Sequence, residues 1–98
     1  MPSYHFAAVA TAAEVTTLLM NNKASKARVA AVGKDAGKFF NVWYIPTDHD
    51  HHWHFTAVQF DPNTDTDTKS VTDELDDSDF AAVTFFGQDN KYYVWSLK

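Results

Sequence analysis

The chain has 98 residues, no cysteine and a formal net charge of −5, with 45% hydrophobic and 15% aromatic residues. This composition excludes a disordered chain, a disulfide scaffold, a thiolate nucleophile and a cysteine zinc site, and the length fits one domain, 1–98, that buries its own core. The charge is split, because residues 1–45 carry five cations against two carboxylates while residues 46–98 carry three lysines against eleven. An acidic chain whose cations cluster around one turn is a poor direct binder of nucleic acid. No apolar run is long enough for a membrane span, and the start, MPSYHF, lacks the regions of a signal peptide, so a cytoplasmic domain is expected.

Residues 4–10, YHFAAVA, fit a short strand or the first turn of a helix, and the expected order of elements takes the strand. Thr11-Ala-Ala-Glu14 fits a capping box, and Ala12, Val15, Leu18, Leu19 and Asn22 then fall on one stripe of a helix over 12–22. Asn21-Asn22 is a suitable end, since asparagine tolerates the left-handed conformation. Residues 27–32, ARVAAV, read as a strand of small side chains, and the glycines of 33–37 mark a hairpin loop. Strand 38–45 stops at Pro46, and a loop leads into strand 52–60, which ends at Asp61-Pro62.

Residues 61–79 hold eight carboxylates and one lysine, with Val71 and Leu75 the only apolar side chains. That composition predicts an acidic loop, with room for a short helix near 70–77. A second hairpin follows, 80–86 and 91–97, around Gly87-Gln88-Asp89-Asn90. The expected fold is therefore α+β, strand-helix-strand-strand-strand-loop-strand-strand, with one helix packed on a five- or six-stranded, mostly antiparallel sheet. In outline this is similar to the cystatin-type arrangement of a helix wrapped by a sheet, although the Gln-x-Val-x-Gly loop of the inhibitory cystatins is absent.

A half-solvated strand alternates apolar and polar residues, and these strands do not. Phe39, Asn41, Trp43 and Ile45 oppose Phe40, Val42 and Tyr44; Tyr93, Trp95 and Leu97 oppose Tyr92, Val94 and Ser96. One short helix covers part of one face, so an aromatic face is left over. Either the sheet coils strongly enough to cover itself, or that face meets a partner. The first functional expectation is a small non-enzymatic binding domain acting through this face. Trp43, Tyr44, Tyr93 and Trp95 are its contact residues, and a homodimer or other protein partner is expected.

The alternative lies in Asp48-His49-Asp50-His51-His52-Trp53-His54. On an extended chain His52 and His54 share a side, His49 and His51 repeat that relation, and Asp50 could ligate or orient an imidazole. Such nitrogen and oxygen donors suit zinc or another transition metal; the competing reading is a hairpin tip facing water. Asn63, Asp65, Asp67 and Glu74 have the oxygen spacing of a calcium loop but lack its glycine and flanking helix pair. The acidic run could also act as an inhibitor by imitating the phosphates of nucleic acid, or simply be a solvated face. Nothing marks a nucleophile or a phosphate loop, so an enzyme is not expected.

Overall fold

This computed structural model describes residues 4–47, 52–59 and 66–97. The chain runs through β1 (His5–Val9), α1 (Ala12–Asn21), β2 (Lys26–Val32), a 3-10 turn (Lys34–Ala36) and β3 (Phe39–Ile45). It continues as β4 (Trp53–Gln59), α2 (Thr66–Asp76), β5 (Phe80–Phe86) and β6 (Lys91–Leu97).

The start of α1 follows from its capping residues. Thr11 is extended, and its hydroxyl accepts the Glu14 N–H at 3.2 Å, while the Glu14 carboxylate accepts the Ala10 N–H at 3.4 Å. Those bonds satisfy amides that have no partner inside the helix. At the other end Lys23 N–H bonds to Met20 C=O and Ala24 N–H to Leu19 C=O. This is a Schellman closure, and its left-handed residue is Lys23 (φ 50°) rather than either asparagine.

Two expectations about the fold are corrected. The acidic stretch is not a loop throughout, because 66–76 forms α2. Its polar composition hides the helix, which needs little apolar surface to dock. Val71 is half-buried and the Glu74 carboxylate accepts from the Ser96 hydroxyl at 3.4 Å. Lys69 pairs with Asp73 at 3.0 Å one turn on, and the Ser78 hydroxyl donates to the Glu74 carbonyl at 2.8 Å. Nor is there a single sheet. Two three-stranded antiparallel sheets form, in the orders β1-β3-β2 and β4-β6-β5.

The two sheets meet where β2 runs beside β5. No ladder joins these strands. Near their beginnings they stand apart across a slot of about 390 Å³, lined by 27–29 and 80–83. Further along they converge, with Ala31 N–H on the Thr84 hydroxyl at 3.1 Å and Gly87 N–H on Ala36 C=O at 3.2 Å. The strands therefore run in the same direction. Gly87 is required at this junction, since a Cβ there would lie 2.1 Å from the Asp35 carbonyl oxygen.

The halves of the chain are copies of one βαββ unit. Each has its first and second strands flanking its third, and the registers coincide. Phe6 faces Trp43 as Phe55 faces Trp95, and Val9 faces Phe40 as Val58 faces Tyr92. On the other side of each third strand, Arg28 faces Trp43 as Ala82 faces Trp95. In sequence, His5-Phe6-Ala7-Ala8-Val9 matches His54-Phe55-Thr56-Ala57-Val58, and Val42-Trp43 matches Val94-Trp95.

The units face opposite ways along the strand order β1-β3-β2 and β5-β6-β4. Right-handed crossovers therefore put α1 and α2 on opposite sides. The core lies on the α1 side. Val15 and Leu19 of α1 pack with Phe40, Val42 and Tyr44 from one sheet and with Trp53, Tyr93, Trp95 and Leu97 from the other. Burying these side chains is the main stabilising term. Leu19→Ala is expected to lower stability by about 2–5 kcal/mol, whereas Leu75→Ala on the exposed side of α2 should change it by roughly 0.5 kcal/mol or less. Urea unfolding of the two variants measures both.

Candidate functional site

The reverse side of the molecule is unevenly covered. Behind the second sheet, α2 lies against β6, β4 and β5. Behind the first sheet, aromatic rings stand in solvent. Phe6 is 56% exposed, Phe39 40% and Trp43 38%. Phe6, Trp43 and Arg28 form one cross-strand row, with the Phe6 and Trp43 rings 5.3 Å apart. Ala8, Asn41 and Ala30 form the next row, and Lys26 sits opposite Ile45 on the same face. Arg28 and Lys26 are both exposed. The site is thus a shallow aromatic surface bordered by cations.

Its counterpart in the second unit shows such a row partly covered, with Trp95 buried and Phe55 still 39% exposed. Phe55 and Trp95 are 5.1 Å apart, in nearly the same tilt as Phe6 and Trp43. Trp95 is fully buried because α1 and the first sheet lie over it, and its indole N–H donates to the Thr16 hydroxyl at 3.0 Å. The third tryptophan is satisfied too, since the Trp53 indole N–H donates to Ala24 C=O at 2.9 Å. Among the described residues, only the Trp43 indole N–H meets no acceptor. A buried tryptophan normally finds one, and an exposed one is a donor ready for a partner.

The structure separates the contact residues that the sequence suggested. Trp43 is on the open face. Tyr44, Tyr93 and Trp95 line the core and do not join it on one surface. Alternation alone divides Trp43 from Tyr44 but does not say which side α1 takes. Phe6, Arg28 and Phe39, which share the open face, were not singled out by the sequence. The signal for Phe6 was the recurring His-Phe-x-Ala-Val, which identifies Phe6 and Phe55 as equivalent positions.

Tyr93 has a different task. Its hydroxyl donates to the Asp89 carboxylate and so ties β6 to the turn before it. Burial, and then the adjacent Asp89 carboxylate, push its pKa from 10.0 up to about 12.

Of the suggested metal ligands, His52 and His54 are described and both are exposed; His49, Asp50 and His51 lie outside the described residues. Among the described residues, no three His, Asp or Glu side chains gather as a metal cage. Asn63 and Asp65 of the calcium-type spacing also lie outside them, while Asp67 and Glu74 fall within the helix 66–76. Asp73, Glu74, Asp76 and Asp77 line a shallow, open hollow at the end of α2. No described helix is long and apolar enough to cross a membrane.

The chain matches no known protein family, no curated protein and no solved structure.

The raised pKa of Tyr93 has a sign that can be checked. The native state keeps this proton in the interval from about pH 10 to about pH 12, where the unfolded state gives it up. Its contribution to stability is therefore complete below pH 10 and is lost as pH rises through that interval. Urea midpoints measured over this range should fall more steeply for the native sequence than for Tyr93→Phe. Parallel slopes would show that Tyr93 is not the titrating group.

Proposed function

We propose that this chain is a small non-enzymatic protein-interaction domain that works through the outer face of β1-β3-β2 and self-associates as a homodimer. One observation carries the reading: Trp43 stands 38% exposed beside Phe6 on an open face, whereas its counterpart Trp95 is fully buried under other parts of the chain. The same tryptophan position in the same register serves as a packing surface in one half, and in the other half it is offered to solvent. Large exposed apolar patches on small domains mark interaction sites, and tryptophan with arginine is the pairing most enriched among residues that dominate such contacts.

The chemistry of the face suits a protein surface. It presents flat apolar area with a free indole donor, flanked by Arg28 and Lys26, and no nucleophile or enclosed cavity stands among these residues. Phe6→Ser and Trp43→Ser remove apolar area from an exposed face, so they should leave the thermal midpoint within a few degrees of the native one. Each is expected to weaken self-association by about tenfold or more, measured by light scattering across a dilution series. Unchanged association in both variants would refute the reading.

A further inference from the structure

The reverse side of this molecule has the form of a step. Over the second sheet it is raised by α2, and a helix with its side chains is about 10 Å thick. Over the first sheet it is bare. The two levels differ in charge as well as height. The raised half carries α2, which keeps Thr72, Asp73, Leu75 and Asp76 exposed, with Asp77 exposed just beyond its end. The bare half belongs to residues 1–45, with five cations against two carboxylates, and shows Arg28 and Lys26 beside its rings.

We propose that the bare half receives α2 of a second copy of this chain and that the exchange is reciprocal, so that two chains close about a two-fold axis. This rests on the interaction face assigned above and names what occupies it. A two-fold rotation brings the raised half of each copy over the bare half of the other, which makes the surface self-complementary in both height and charge. Such an isologous contact is closed and stops at two chains. Packing the two bare faces directly together would instead gather Arg28 and Lys26 of both copies into one contact.

The internal repeat supports a helix as the occupant. In the Phe55–Trp95 row of the second unit, Trp95 is covered by a helix from the other unit, whose Thr16 hydroxyl accepts from the Trp95 indole N–H, while Phe55 stays 39% exposed. The Phe6–Trp43 row lacks its helix, and the Trp43 indole proton lacks its acceptor. The exposed side of α2 supplies what is missing: Leu75 as apolar contact, and the Asp76 carboxylate as acceptor. The charges around the contact set orientation and the speed of encounter more than its strength.

The test uses the full chain, with light scattering for mass and tryptophan fluorescence for the Trp43 environment. The native protein is expected to form a dimer that weakens about tenfold or more as ionic strength is raised from low to near-molar salt, because salt screens exposed charges. Trp43→Ser should weaken it at least tenfold, and so should Leu75→Ser combined with Asp76→Lys, whose thermal midpoint and far-ultraviolet dichroism show whether it folds. Arg28→Glu should weaken it, and adding Asp76→Lys to Arg28→Glu should recover a substantial part of the loss. A dimer sensitive to Trp43→Ser but indifferent to the α2 changes would overturn this inference and leave the interaction face standing. A chain that stays monomeric at all concentrations, or a dimer indifferent to both sets, would overturn the two together.

Discussion

The fold depends on the burial of α1 between the two sheets. Val15 and Leu19 are completely removed from solvent, and each touches a core drawn from both halves of the chain. Two directional bonds fix the helix in that place. Trp95 donates its indole proton to Thr16 in the middle of α1, and Trp53 donates its own to the carbonyl of Ala24 just past the helix end. A polar atom on each large ring is thereby satisfied at the same time as the ring is buried, which removes the desolvation cost that would otherwise oppose it. The second sheet must swing round α1 for those bonds to form. The slot between β2 and β5 opens as it does so.

That curl also breaks the symmetry between the repeated units. A flat six-stranded arrangement would give each helix an equivalent place on its own side. The helices are not equivalent, however. α1 offers Ala12, Val15, Leu18 and Leu19, enough for apolar surface on two sides, while α2 offers only Val71 and Leu75 among carboxylates. The sheets bend toward the helix with more to bury. The tryptophan of one unit's aromatic row becomes core, and its twin is left outside. The exposure of Phe6 and Trp43 thus follows from the difference between two helix sequences, not from any peculiarity of the rings.

Much of this was legible in the residues. The capping box at Thr11–Glu14 set the start of α1, and the aromatic runs located five of the six strands to within a residue or two of their ends. Turn chemistry gave the hairpins β2–β3 and β5–β6, whereas the hairpin expected of strands 38–45 and 52–60 does not form, since β3 and β4 lie in different sheets. What local pattern could not give was which side of each strand faced α1, because a strand apolar on both faces looks the same from either side. Trp43 and Tyr44 were therefore both offered as surface, and only tertiary packing separates them. α2 was obscured for the opposite reason, as a helix docked through Val71 and a Glu74–Ser96 hydrogen bond has little apolar periodicity to detect. The duplication was visible throughout in two copies of His-Phe-x-Ala-Val, but it gains structural meaning only when the strand registers show that the copies occupy equivalent rungs.

The slot between β2 and β5 gives the molecule a fracture line through its middle. Protection of a main-chain amide from solvent deuterium reflects the easiest opening that frees it, not its depth from the surface. Here the strands nearest the centre of the molecule face each other without a ladder, and Ala31–Thr84 and Gly87–Ala36 join them only toward one end. Amides on the slot side of β2 and β5 therefore exchange through a small parting of the two halves, while those of β3 and β6, laddered on both edges, wait for a whole unit to unfold. The usual order, with a slow interior and a fast rim, is inverted along this line.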